Sequence, residues 1–313
     1  MRIVFFGSPA EASDALAALI DDGHTVTAAY TQPDRKAGRG RMLRPTPVRT
    51  TAEASGIPVF TPRSLRNNPD ELNRLRELNA DVFVVVAYGR ILPPELLEVP
   101  PMGVVNVHPS LLPKYRGPSP VVTAILDGQS ETGVSVMLLD EGMDTGPVLA
   151  QSPPVKLDGT EKGAELQARL FKEGASMLPA VLNGLEDGSI QPQPQNDSLG
   201  TVSRLLDRSD GEIDWADPFE KIDRMIRAYS PWPGTFTSWG DKTLKIVDAE
   251  LSDTPSAGVG VVFVDGGNAF VGCGSGSILL KRIQLQGRQA VAAADFLNGQ
   301  PEFDGATLGS GKN

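Results

Sequence analysis

Apolar residues along the chain come in short unbroken runs, separated by stretches with helical spacing. Residues 2–6 read as a buried strand closed by Gly7, Ser8 and Pro9, and residues 10–20 follow with Leu16, Leu19 and Ile20 on one helical face, which is a βα opening. Further strand-length runs lie at 25–30, 82–87, 104–107 and 134–139, with helical patterns near 70–78 and 121–126. Strands alternating with helices predict an α/β unit around a mostly parallel sheet. Another helical pattern spans 165–182, after which 188–200, with Gln191, Pro192, Gln193, Pro194 and Gln195, loses apolar periodicity. The expected organisation is therefore a first domain over 1–189, a linker over 190–208 and a second domain over 209–313. In that second domain, short runs at 236–239, 244–249, 260–264, 269–272 and 278–285 alternate with glycine-rich turns, and a small β-barrel is expected.

Composition supports a globular chain and removes several function classes. The 313 residues are 40% hydrophobic, and 33 Gly with 26 Pro make the chain turn-rich without reaching disordered composition. A single cysteine, Cys273, and two histidines, His24 and His108, offer neither an internal disulfide nor a zinc set, so no metal is expected. No run of apolar residues is long enough for a membrane span or a signal-peptide core, and a cytoplasmic location is expected. The net charge of −10 argues against indiscriminate coating of nucleic acid. The local distribution changes that picture. Arg35, Lys36, Arg39, Arg41, Arg44 and Arg49 fall in a window with no carboxylate, and Lys281, Arg282 and Arg288 fall in a second one. Glycines among the arginines of the first window suit an arm that orders against phosphates, although a solvated basic loop is the common meaning of such a run.

Candidate chemistry concentrates at the predicted strand 104–107. Asn106 and His108 are two apart, so they project to one side, and Pro109 ends the strand. An amide and an imidazole at a strand end can polarise a carbonyl and stabilise an oxyanion, whereas an isolated buried histidine is more often simply satisfied. Asp140, Glu141 and Asp144 follow the next predicted strand, and a carboxylate beside His108 is expected to raise its pKa; from spacing alone, Asp144 is equally a turn-former. Gly7 to Ala12 lacks the later glycines of a dinucleotide fingerprint, and residues 38–41 are not a phosphate loop. Arg224, Arg227, Tyr229, Trp232 and Trp239 mix cations with aromatics; domain packing is the favoured reading over base stacking.

Taken together these residues resemble the methionyl-tRNA formyltransferase family over nearly the whole chain. The resemblance is carried by Thr31-Gln32-Pro33-Asp34-Arg35, Ala37-Gly38-Arg39-Gly40, Asn106-Val107-His108, Ser110-Leu111-Leu112-Pro113, Tyr115-Arg116-Gly117, Glu131-Thr132-Gly133-Val134, Asp144-Thr145-Gly146, Ile226-Arg227-Ala228-Tyr229 and Pro231-Trp232-Pro233. It implies a Rossmann-like catalytic domain followed by an OB-like barrel. It also implies transfer of the formyl group of 10-formyltetrahydrofolate to methionyl initiator tRNA, by direct attack through an oxyanion-stabilised tetrahedral intermediate. On that resemblance Asn106, His108 and Asp144 are the catalytic trio and Ser110, Leu111, Leu112 and Pro113 the folate-binding turn. Arg39, Arg41 and Arg44 would meet the tRNA acceptor arm, and Lys281, Arg282 and Arg288 are candidate phosphate contacts on the inner side of the tRNA. The partners implied are the charged initiator tRNA and folate; no metal, membrane or obligate protein partner is expected. Pro109 and the run Gly117-Pro118-Ser119-Pro120 depart from the family's usual pattern. The alternatives are the same chemistry on a small amine such as an amino sugar nucleotide, which does not need the cationic arm, and an inactive binding module, which does not need the trio.

Overall fold

The protein is described by a computed structural model over residues 1–37 and 42–309. It divides into two compact units, the first comprising 1–120, 131–156 and 167–203, the second 121–130, 157–166 and the chain from Arg204 onward.

The first unit contains β1 (Arg2–Gly7), α1 (Ala10–Asp21), β2 (Thr25–Tyr30), β3 (Arg35–Ala37), β4 (Met42–Arg44), α2 (Pro47–Ala54), β5 (Val59–Phe60), α3 (Pro69–Glu77), β6 (Val82–Val86), α4 (Pro94–Leu97) and β7 (Val104–His108). After α5 (Pro120–Leu126) come β8 (Glu131–Thr132), β9 (Ser135–Leu138), β10 (Val148–Gln151), β11 (Val155–Lys156) and the long helix α6 (Gly163–Glu186). The main sheet has the order β10-β9-β7-β6-β1-β2-β5. Its strands from β5 to β7 are parallel, as the sequence pattern predicts, while β9 runs antiparallel to β7 and β10 antiparallel to β9.

The continuous apolar runs have a physical reason. All of β6 and the last five residues of β1 are buried, which a central parallel strand covered on both faces requires. On one face Phe6 packs against Tyr30, Phe83 and Tyr88, with ring centroids 4.9, 5.4 and 5.5 Å apart. Strand order reverses between β1 and β6, so the crevice beyond their carboxyl ends is the topological switch point of the sheet. Gly7 closes β1 there because a Cβ would lie 2.7 Å from Ala12 Cβ and 2.9 Å from Val86 O.

The stretch expected as a linker is in large part built onto this unit. Val148 and Gln193 exchange two backbone hydrogen bonds of 2.8 Å, and Arg116 donates to Thr201 O while its carbonyl accepts from Ser203 N. The lost periodicity of this stretch reflects backbone pairing without a core-facing stripe.

The second unit holds α7 (Phe219–Ala228) and the strands β12 (Thr235–Trp239), β13 (Lys242–Ser252), β14 (Val262–Asp265), β15 (Asn268–Cys273), β16 (Gly276–Leu285) and β17 (Val291–Ala292), followed by α8 (Ala293–Gly299). They form one antiparallel sheet in the order β12-β13-β16-β15-β14, with β17 beside β16. Register shifts around Asp248 mark a bulge that lets the long β13 bend while pairing with both neighbours. Ile222 and Ile226 of α7 join Leu244, Ile246, Val271, Ile278 and Ile283 in its core.

Candidate active site

β7 delivers Asn106 and His108 to the same side of its carboxyl end, as the two-residue period demands. His108 is buried at 4% exposure, whereas Asn106 is half-buried and its carboxamide makes no hydrogen bond to another described residue. The imidazole is held on both sides. Its Nε2 lies 2.8 Å from the carbonyl of Tyr115, and its Nδ1 lies 3.6 Å from Asp144 Oδ2.

These two contacts decide the chemistry of the ring. A carbonyl only accepts, so Nε2 carries the proton and donates to Tyr115 O. The neutral ring therefore presents its lone pair at Nδ1. At 3.6 Å that nitrogen is not hydrogen-bonded to the carboxylate, yet it is near enough for the charge to favour an imidazolium. Burial lowers the His108 pKa below its ordinary value, and this outweighs the raising effects of Asp144 and of the Tyr115 carbonyl. The expected upward pull of the neighbouring carboxylate on this histidine is present, but burial, which sequence did not weigh, turns the net shift downward. Asp144 is at hand, but the cost of placing a charge on a ring that is only 4% exposed is larger.

The route by which Asp144 arrives also differs from a simple strand-end reading. Because β9 is antiparallel, Leu138 pairs with Val105 and Ser135 with His108, so β9 finishes beside the start of β7. The chain between Leu138 and Val148 returns along the sheet to bring Asp144 to His108. Asp140 stays in the loop, accepting from Gly142 N and Thr145 Oγ1, and Glu141 is exposed. Of the three carboxylates, only Asp144 joins the site.

Residues 115–117 are the hub that sequence reading named only as part of a motif. Tyr115 O holds the imidazole; Gly117 N donates to Asp144 Oδ2 at 2.7 Å. Between them Arg116, 7% exposed, reaches Gln195 Oε1 at 3.0 Å and Asp197 at 2.8 Å. Gln195 Nε2 in turn donates to the carbonyls of Asp144 and Gly146. Tyr115 and Asp144 adopt φ of +57° and +53°, a left-handed backbone that residues with a Cβ hold only when their surroundings impose it. Gln195 sits in the Pro-Gln run that carried no apolar signal, so only its tertiary partners reveal its role.

The turn formed by Ser110, Leu111, Leu112 and Pro113 is pinned from below. Ser135 Oγ donates to Ser110 O and accepts from Leu112 N, while Gln151 Nε2 donates to Leu112 O and to Ser135 Oγ. With its backbone so held, the turn leaves Leu111 and Pro113 half-buried beside the His108 end of β7.

The cationic positions divide. Arg39 and Arg41 lie outside the described residues. Arg44 is exposed on β4, which pairs with β3 as a hairpin. Arg49 is engaged by Asp34 at 3.0 Å and by Glu53 at 2.8 Å. In the second unit Lys281 is exposed and paired with Glu250, and Arg282 and Arg288 are exposed. Trp239 packs edge-on against Phe296 and Phe303, whereas Trp232 is 58% exposed. Among the described residues no cluster suits a metal ion, and no helix is long and apolar enough to cross a membrane.

Comparison with known proteins shows the family. A family model described as formyl transferase matches residues 1–182, and one described as formyl transferase, C-terminal domain, matches 205–301. The methionyl-tRNA formyltransferase of Chloroflexus aggregans is 45% identical over 302 residues, covering 96% of this chain and 97% of that protein. The methionyl-tRNA formyltransferase of a Roseiflexus species is 45% identical over 312 residues, covering 99% and 95%. Among solved structures, the sugar 3N-formyl transferase WlaRD superposes with a TM-score of 0.67 at 17% identity over 92% of this chain and 99% of its own. HypX from Aquifex aeolicus in complex with tetrahydrofolic acid gives 0.65 at 18% identity over 97% of this chain, which spans 47% of the HypX chain. These two share the fold.

Proposed function

The chain belongs to the formyl transferase family, and on that premise we propose that it transfers the formyl group of 10-formyltetrahydrofolate to the α-amino group of methionyl initiator tRNA in the cytoplasm. The observation that carries this reading is the near full-length match, at 43–45% identity, to proteins named methionyl-tRNA formyltransferase. Acceptors of sugar type belong to neighbours that share only the fold.

The residues fit a folate donor. Asn106 offers an unpaired carboxamide at the strand end, and the turn 110–113 offers a rigid backbone with two half-buried apolar side chains. The donor supplies the formyl carbon; everything else is work for this chain. An α-amine with a pKa of about 8 has a neutral fraction near pH 7, so it needs positioning more than activation. As it attacks, negative charge grows on the formyl oxygen, and the Asn106 amide is placed to donate to it. One donor of this kind is typically worth about 3–4 kcal/mol. His108 Nδ1, unprotonated in the resting ring, accepts the proton the amine sheds. The imidazolium that results is stabilised by Asp144, donates to the oxyanion, and then returns its proton to N10 of the folate as the bond between N10 and the formyl carbon breaks and tetrahydrofolate departs. Asp144 is positioned by Gly117 N and Gln195, which keep its charge next to Nδ1. Arg39, Arg41, Arg44, Lys281, Arg282 and Arg288 are assigned to phosphates of the tRNA.

The test is transfer of labelled formyl from 10-formyltetrahydrofolate to methionyl initiator tRNA, alongside uncharged tRNA and the Asn106→Ala/His108→Ala protein. Label on charged tRNA alone, lost in the double variant, supports acceptor and site together. Folate binding without transfer to any tRNA overturns the acceptor assignment in favour of a small amine.

A further inference from the structure

The acid-free window between Asp34 and Glu53 contains a cation that does not behave like its neighbours. Two of the three guanidinium nitrogens of Arg49 are already engaged by carboxylates: Nη1 is 3.0 Å from Asp34 Oδ2 and Nε is 2.8 Å from Glu53 Oε1. Asp34 immediately precedes the β3–β4 hairpin, and Arg49 lies in the first turn of α2, which follows it. A second bond joins the same two chain ends. Thr31 Oγ1 and Thr46 Oγ1 are 2.7 Å apart, Thr31 is fully buried, and Thr46 caps α2 by accepting from Arg49 N. Thr31 also donates to Ser8 Oγ, and Gln32 N donates to the same hydroxyl. The root of the hairpin is therefore tied to the turn after β1, at the switch point of the sheet.

We propose that Asp34 and Arg49, with Thr31 and Thr46, form a clamp that fixes the direction in which the cationic hairpin leaves the sheet, so that Arg49 is a positioning residue and not an RNA contact. This rests on the tRNA reading above. The physical argument is leverage. The hairpin is a two-stranded ribbon with three paired positions, too short to be stable alone, so its orientation is set at its root. An error of about 1 Å in placing a substrate can cost up to about a hundredfold in rate. An ion pair whose partners are one-quarter to one-third exposed contributes little to global stability, which leaves orientation as its main effect.

The experiment compares Arg49→Gln, Asp34→Asn, the double variant and Arg49→Lys with the wild-type chain, using kcat/KM for methionyl-tRNA over a salt series and KM for 10-formyltetrahydrofolate. A clamp predicts that each single loss lowers kcat/KM for the tRNA about tenfold, that the double variant is no worse than either single one, and that Arg49→Lys recovers most of the activity. The slope of log kcat/KM against log salt and the folate KM stay as in wild type. A phosphate contact predicts otherwise and overturns the proposal: Arg49→Gln reduces the salt slope by about 1, and Asp34→Asn leaves tRNA use unchanged or improves it. If the wild-type chain itself forms no formyl-methionyl-tRNA, the acceptor reading fails, an outcome visible before any variant is compared.

Discussion

Asp144 Oδ2 stands 3.6 Å from His108 Nδ1 and accepts the backbone N–H of Gly117 at 2.7 Å, so one carboxylate oxygen couples the imidazole to the 115–117 turn. Replacing the carboxylate by an amide separates its two roles. Asp144→Asn keeps an acceptor for Gly117 N but removes the charge that favours the imidazolium. We expect kcat to fall by about 10²–10⁴-fold with little change in folding stability. Steady-state kinetics and a thermal melt decide it; a variant that melts much lower and retains kcat places the role of Asp144 in folding.

The His108 pKa lies below 6.5, with burial as the dominant cause. If the neutral ring accepts the amine proton, kcat/KM rises as pH rises through that lowered value and then levels, until other groups titrate. NMR titration of the ring alongside a pH-rate profile checks both; a resolved pKa above 6.5 contradicts the balance of burial against Asp144.

Stability follows the same sign. His24 is also lowered, by burial and by the N-terminal ammonium. A histidine whose folded pKa is depressed binds fewer protons than the unfolded chain in mild acid. Its contribution is fully present above about pH 6.5 and is lost as pH falls through the folded value. We therefore expect Tm to drop below pH 6.5, and His24→Gln to flatten part of that drop in calorimetric scans.

Gly117 has φ of +96°, and a Cβ there would lie 2.7 Å from Ser203 O. Gly117→Ala must move the backbone that holds Asp144. We expect a loss of about 1–3 kcal/mol in denaturant unfolding, with a fall in kcat larger than that of a distant substitution of equal ΔΔG.

Ser135, fully buried, serves Ser110 O, Leu112 N and Gln151 at once. Ser135→Ala leaves a buried N–H without its partner, at a cost of about 1–3 kcal/mol. The expected signature is a raised KM for the folate donor with a smaller change in kcat, measured at saturating tRNA.

Local chemistry and period determined a good deal of this protein from sequence alone. The unbroken runs of β1 and β6 read as buried strands of a mostly parallel sheet, and Asn106 and His108 share a side because a strand repeats every two residues. The glycine-punctuated short runs after 209 read as a small β-barrel, and the structure places one antiparallel sheet there. What sequence could not decide depends on chain direction and on groups far apart along it. The strand 134–139 looks the same whether parallel or antiparallel, yet its direction sets where Asp144 starts from and forces the return loop that brings it to the imidazole. Gln195 sits in an aperiodic run because its task is to bond two carbonyls, which leaves no hydrophobic trace. The sign of the His108 pKa shift is tertiary too: Asp144 can be read from a motif, but the exclusion of water that outweighs it belongs to the packed site.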